Sequence, residues 1–279
     1  MSFHYFKAAG HATVYNKFRP KPPEELVKRI IDFLVEKISP PLVRAIDVGC
    51  GGGQSTDVLA SFFQNVQGFD PSESQITEAT RKNKFHNVTY SVGHAEKIDC
   101  PDSSVQLITA AQACHWFDLP KFYAEAGRVL VPGGVLALYG YHLPRPRYGS
   151  THEELCSIVE KFYCTTLRNY VLAESKEAYF GNYRSDEFCK IPFVDGPIVR
   201  DESVSTKYNA TVSDLVGYVS SWSAFQNYQN QEGEEKAADI LLRLEQEIMD
   251  MIHTAMPPHE THLELEYNYF LLMGRKPLL

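Results

Sequence analysis

Apolar residues recur along this chain with two periods. In the first, EELVKRIIDFLVEKI (24–38) places Leu26, Ile30, Phe33, Leu34 and Ile38 on one stripe, which predicts an amphipathic helix. Pro40 and Pro41 end it. Val43, Ala45, Ile46 and Val48 then read as a buried parallel strand, and after a glycine cluster STDVLASFFQ returns to helical spacing through Val58, Leu59, Phe62 and Phe63. The same rhythm continues with a short strand in VQGFD (66–70) before the helical SESQITEATRK. Strands follow in 88–99, in 105–118, and, beyond a helix end and a Pro-Gly-Gly turn, in 128–140. Five alternations between 42 and about 140 predict a parallel sheet with helices on both faces.

After Gly140 the rhythm changes. A Pro- and Arg-rich loop (YHLPRPRYGS) leads to a helix beginning near Ser150, whose apolar face carries Leu155, Ile158, Val159, Phe162 and Tyr163. A sixth strand is expected within 188–208 and helices over roughly 211–229 and 234–256, placed to pack over the ligand mouth. THLELEYNYFLLMGRK (261–276) alternates and reads as the last strand. The expected division is 1–41 as an N-terminal lid and first helix, 42–140 as a cofactor-binding core, and 141–279 as a C-terminal part with cap helices and the last sheet strands.

The glycine cluster carries the most chemistry. It falls on a strand-to-helix turn, where backbone without side chains can pass close to a ligand and the first helical N–H groups serve as donors. A dinucleotide fingerprint needs glycines spaced GxGxxG, and this turn misses it: counting from Gly49 the third position is Gln54, and from Gly51 it is Thr56. The turn instead reads Asp47-x-Gly49-x-Gly51-x-Gly53, which resembles motif I of the class I S-adenosylmethionine-dependent methyltransferases. About twenty residues on, Asp70-Pro71-Ser72 ends the second strand. A carboxylate there can accept from both vicinal hydroxyls of a ribose; the alternative is that Asp70 caps the following helix, as Ser72 also could.

The resemblance implies a Rossmann-like, seven-stranded methyltransferase sheet with helices on both faces, its last strand antiparallel, and a helical cap inserted in the C-terminal half. It gives His94, Ala95 and Glu96 a place beside the adenine, and Ala111 and Gln112 a cofactor-facing one. Two segments narrow it. YNKFRP (15–20) before a helix and AQACHWFD (111–118) after the fourth strand are similar to the UbiE/Coq5-like type 11 branch, and within it to the eukaryotic trans-aconitate methyltransferase-like proteins. This implies S-adenosylmethionine as cofactor, S-adenosylhomocysteine as product, and a small-molecule acceptor, a carboxylate being one that needs no general base.

For another acceptor, His115 is the candidate base, with packing, cofactor shaping or substrate contact as its other roles. Trp116 joins it against the cofactor. Tyr15 and Arg19 are expected to close an N-terminal lid, the guanidinium pairing with a carboxylate of cofactor or substrate, unless the segment only sets the direction of the helix. Tyr139, Tyr141, His142 and Trp222 are candidates for lining the acceptor pocket and facing the sulfonium charge, with core packing as the alternative. Arg145, with Arg147, is a candidate to grip a carboxylate.

A net charge of −8 argues against a broad phosphate-binding surface and hence against nucleic-acid partners. No apolar stretch has the length of a membrane span, MSFHYFKAAG lacks a signal-peptide core, and six cysteines without paired metal spacing fit a reduced, cytoplasmic setting with no metal. Two other functions remain in view: a cofactor-binding but catalytically silent partner protein, and an NAD(P)-dependent oxidoreductase, which the failed GxGxxG frames disfavour.

Overall fold

In the computed structural model, residues 19–278 are described. Tyr15, with the rest of the leader before Arg19, lies outside them. The first described helix, α1 (Glu24–Val35), buries Leu26, Val27, Ile30, Ile31 and Leu34 and carries Glu24 and Glu25 where its N-terminal N–H groups are unpaired. Five strands then follow, with a helix between all but one successive pair: β1 (Arg44–Val48), α2 (Gln54–Asp57), β2 (Asn65–Asp70), α3 (Glu73–Lys82), β3 (Val88–Val92), which passes to β4 (Val105–Ala111) without a helix, α4 (Leu119–Val129) and β5 (Leu130–Tyr141). They pair in the order β3-β2-β1-β4-β5, all parallel.

The helix expected from Ser55 onward is shorter than its apolar spacing suggests. Only Gln54–Asp57 is α-helical, and Leu59, Ala60 and Phe62 bond to carbonyls three residues back, a tighter winding that keeps Leu59 and Phe63 buried. The Pro-Gly-Gly sequence does not precede β5 but bulges from it. Val105 opposes Leu130 while Leu107 opposes Val135, and Gly133, at φ +81°, turns the looped-out residues back into register.

Beyond β5 come β6 (Arg145–Arg147), α5 (His152–Lys161), two short helices α6 (Ala173–Lys176) and α7 (Asp186–Cys189), then β7 (Val199–Asp201) and β8 (Ser205–Thr211). Helices α8 (Val212–Ser220), α9 (Ser223–Glu232) and α10 (Glu234–Ile252) precede the last strand, β9 (His262–Arg275). The sheet therefore holds nine strands rather than seven. The long β9 is the reason: its C-terminal half lies antiparallel between β5 and β7, and its N-terminal half runs on between β6 and β8.

Strand alternation divides the core between the two faces. Ala45, Leu107, Val135, Ala137 and Leu271 point to the face covered by α1 and the cap helices, while Ile46, Val48, Ile108, Leu136, Leu138 and Leu272 point to the face covered by α4. Each fully buried Leu or Ile contributes roughly 1.5–3 kcal/mol, so two such layers hold the sheet in place beneath its carboxyl-end loops. Among the described residues no helix is long and apolar enough to cross a membrane.

Candidate functional site

The site is built on the carboxyl end of β1. Gly49, Gly51 and Gly53 all adopt positive φ (+70°, +52° and +90°), so the chain leaves the strand through three left-handed residues. Two of these glycines are also required by space. A Cβ on Gly49 would stand 2.5 Å from the Ala113 Cβ, and one on Gly53 would stand 2.4 Å from the Tyr90 hydroxyl. Gly51 differs. The nearest atom to a Cβ there would be Gln75 Oε1 at 4.0 Å, so this glycine faces open space.

Asp47 does not face that space. It is fully buried behind the turn, where its Oδ2 accepts from Ser55 Oγ at 2.6 Å and Thr56 Oγ1 at 2.7 Å and its Oδ1 accepts from Thr109 Oγ1 at 2.8 Å. Its place among ligand-contacting residues is corrected accordingly: it ties β1 to α2 and β4 and so fixes the turn. Burial pushes its pKa up to about 6, against the pull of the three hydroxyls.

Asp70 stands at the end of β2 with its carboxylate turned to the glycines. Oδ2 accepts the Gly51 N–H at 2.9 Å and Oδ1 the Ser72 N–H at 2.9 Å, leaving each oxygen with unused acceptor capacity. Burial raises its pKa, opposed by those two N–H groups and by nearby His94. The capping alternative is resolved in favour of Ser72, whose hydroxyl accepts from Gln75 N at the start of α3. Pro71 links the two.

The next wall comes from β4. Gln112 takes a left-handed φ of +49°, unusual for a residue with a side chain, while its N–H bonds Tyr139 O and its Nε2–H bonds Tyr141 O, both at 2.9 Å. Its Oε1 is buried without a partner, as is Gln75 Oε1. Ala111, Gln112, Tyr139, Tyr141 and Tyr269 line one cleft with Gly49, Gly51, Gln54, Ser55 and Arg19. Arg19 reaches the core and the cap together. It donates from Nη1 to the Tyr141 hydroxyl at 3.2 Å and the Tyr179 hydroxyl at 3.3 Å, from Nε to Ser221 Oγ at 3.1 Å and from Nη2 to Ser221 O at 3.2 Å, with its guanidinium over the Tyr218 ring.

The cradle fits an adenosyl group. An open glycine, a carboxylate with spare lone pairs, and two orphaned amide oxygens supply room and acceptors for hydroxyl and amino donors.

Residues 46–138 match the family described as methyltransferase domain. A candidate methyltransferase of Dictyostelium discoideum is 37% identical over 211 residues, 76% of this chain and 74% of that one. The chain is a member of the S-adenosylmethionine-dependent methyltransferase family. A candidate type II methyltransferase from Anaeromyxobacter dehalogenans superposes with a TM-score of 0.71 at 30% identity, covering 93% of this chain and 99% of that one. A Haemonchus contortus phosphoethanolamine N-methyltransferase, solved with phosphomonomethylethanolamine and S-adenosylhomocysteine, shares the fold at 17% identity and a TM-score of 0.51, over 97% of this chain and 58% of that one.

In this methyltransferase the other expected site residues divide. Ala95 is buried, His94 is exposed beyond β3, and the Glu96 carboxylate accepts the Asp118 N–H at 2.9 Å, which ties that loop to α4. His115 is half-buried in the short helix Cys114–Trp116, its ring 4.9 Å from that of Trp116. Burial, helped by the Arg19 charge, brings its pKa down to about 3. His142 packs edge-on against Phe270 rather than into the cleft. Trp222 is 1% exposed and packs edge-on against Tyr163 and Tyr218, so it belongs to the cap's core and its place as a pocket-lining residue is corrected. Arg145, on β6, pairs with Glu153 and meets His152, away from the cleft, and Arg147 pairs with Glu266.

Several residues that matter here carry no sequence signal. Tyr90 braces the glycine turn, donating to Asp57 Oδ1 at 2.6 Å. Tyr179 and Ser221 hold Arg19, and the Tyr183 hydroxyl meets His115 Nδ1 at 2.7 Å. All four are distant in sequence from the groups they serve.

Proposed function

We propose that this methyltransferase binds S-adenosylmethionine across the Gly49–Gly53 turn, Asp70 and the loops after β3 and β4, and transfers its methyl group to a carboxylate oxygen of a small molecule. One observation carries the acceptor class: among the described residues lining the cleft, Arg19 bears the only positive charge. A guanidinium surrounded by tyrosine hydroxyls and apolar rings favours an anion over an amine, and a lone cation falls short of the basic surface that a phosphate-rich polymer needs.

Bound cofactor supplies an activated methyl on a sulfonium. The chain's task is to align the acceptor with it and exclude water. Asp70 holds the ribose hydroxyls, the turn N–H groups and the orphaned Gln75 and Gln112 oxygens orient the remainder, and Arg19 holds the acceptor against Tyr141. A carboxylate arrives already ionised, so no side chain has to remove a proton. The low basicity of His115 agrees with this, since a base working near neutrality needs a pKa close to the operating pH.

Small carboxylic acids incubated with the protein and methyl-labelled S-adenosylmethionine test the reading. The expected product is a methyl ester whose label is released by mild alkali. Alkali-stable transfer to amines, or transfer only to a protein or RNA fraction, overturns it.

A further inference from the structure

Arg19 and Pro20 line two cavities. One is the cofactor cleft, and the other is a chamber of about 390 Å³, within the roughly 300–1,000 Å³ of small-molecule sites. The chamber is built by the long last strand. Leu265, Tyr267 and Tyr269 alternate onto one buried face of β9. Tyr269, opposite Tyr141, lines the cleft, while Tyr267 and Leu265 line the chamber together with Tyr208 of β8 and Tyr218 of α8. Tyr267 joins the two spaces: its ring lies 5.6 Å from that of Tyr141, 5.6 Å from that of Tyr218 and 5.9 Å from that of Tyr208.

The charge in this chamber is positive. Arg19 and the exposed Lys21 are its described cations, and its carboxylate, Asp214, is engaged by the Thr211 N–H at 3.0 Å and the Thr211 hydroxyl at 2.9 Å in the cap of α8. Tyr218 adds an unanswered group. It is 1% exposed, its hydroxyl is buried without a hydrogen-bond partner, and its ring centroid lies 5.0 Å from the Arg19 guanidinium. Burial holds the phenol protonated against the pull of that charge. A buried hydroxyl left unpaired is costly. Beside a cation, the partner that satisfies both groups is an anionic oxygen, since a carboxylate accepts from several donors at once.

We propose that the acceptor is an aromatic carboxylic acid whose ring occupies the chamber among Tyr208, Tyr218 and Tyr267, with its carboxylate held by Arg19 and the Tyr218 hydroxyl. This rests on the carboxylate reading above and specifies it. Arg19 reaches the Tyr141 hydroxyl on the cleft side and the Tyr218 ring on the chamber side, so a carboxylate on its guanidinium faces the cofactor while the rest of the acceptor extends into the chamber. Three tyrosine rings offer edges and faces to a flat π-system and fewer such contacts to a saturated ring. The acceptor oxygen forms the O–CH3 bond as the S–CH3 bond breaks with its electron pair staying on sulfur. Carboxylate and sulfonium become ester and thioether, and no proton moves.

Benzoate and cyclohexanecarboxylate have the same carbon number and charge and differ in the flat ring. Their binding to full-length protein saturated with S-adenosylhomocysteine tests the proposal. The expected result is that benzoate binds about 2- to 10-fold more tightly than cyclohexanecarboxylate. Tyr218→Phe keeps the ring beneath Arg19 and removes the hydroxyl, and is expected to weaken both acids at least about tenfold. Tyr208→Leu, at a half-exposed position, is expected to erase the preference for benzoate. Neither variant is expected to change the Kd for S-adenosylhomocysteine by more than about twofold, a separation that general loss of structure would not produce. No binding of benzoate, no preference in wild type, an unaltered preference in Tyr208→Leu or unaltered acid binding in Tyr218→Phe overturns the inference. Should Tyr218→Phe not fold, wild type and Tyr208→Leu decide. Methyl ester formation on aliphatic acids without aromatic preference refutes only the chamber, absence of ester from every carboxylic acid refutes the acceptor class, and absent S-adenosylhomocysteine binding refutes the cofactor site.

Discussion

The Asp47 carboxylate accepts the Ser55 hydroxyl at 2.6 Å beneath the glycine turn, out of reach of solvent. It is therefore a group that folding makes harder to ionise. Because its folded pKa, about 6, lies above its ordinary value of 3.8, the folded state binds the proton more tightly. The stabilising contribution of protonated Asp47 is full below about pH 4 and is lost as pH rises through 6. At about 1.4 kcal/mol per pKa unit the change approaches 3 kcal/mol. Asp47→Asn removes the titration. The expected result in urea unfolding is that wild-type stability minus that of Asp47→Asn falls by this order between pH 4 and 7, and a flat difference contradicts it.

Gly51 and Gly53 share a backbone hand and differ in what surrounds them. Gly53→Ala drives a Cβ into the Tyr90 hydroxyl and is expected to cost about 2–4 kcal/mol of stability, combining backbone strain with overpacking. Gly51→Ala has room and costs only the strain of its conformation, about 1–2 kcal/mol, while placing a methyl where the ligand passes. Thermal melts with and without S-adenosylhomocysteine separate them: Gly53→Ala lowers the baseline melting temperature more, and Gly51→Ala loses more of the ligand-induced rise.

How far the site can be read from sequence follows from which forces are local. The strand rhythm of 42–140 and the glycine turn are legible because burial on both faces and left-handed backbone each demand particular residue types in short windows. Asp47 shows the limit of motif reading. Its spacing to the glycines is visible, but whether a carboxylate faces ligand or core depends on Thr109, sixty-two residues away. The nine-stranded sheet was illegible for a similar reason, since nothing in SVSTKYNAT or RPR announces that β9 extends far enough to pair with both. Tyr183 lies further out of reach, because its positive φ, at an aromatic residue, is imposed by tertiary packing and not by the residue itself.

Arg19 donates to groups on both β5 and the cap, and the proposed hold on the acceptor runs through its guanidinium. Arg19→Met is expected to raise the KM for the carboxylate acceptor about 10- to 100-fold, the loss of a charged hydrogen bond of roughly 1.5–3 kcal/mol. Its S-adenosylhomocysteine affinity is expected to change by less than about threefold. Equal loss on both assigns the guanidinium to the cofactor's own carboxylate.

The central claim is that Asp70 and the open face of Gly51 hold the adenosyl group. Calorimetric titration of the intact protein with S-adenosylhomocysteine, alongside Asp70→Ala, tests it most directly. Losing one or two hydrogen bonds to a charged acceptor, each worth about 1.5–3 kcal/mol, predicts saturable binding by wild type and a Kd raised at least about tenfold in the folded variant. No binding by wild type, or equal affinity in Asp70→Ala, would contradict the account.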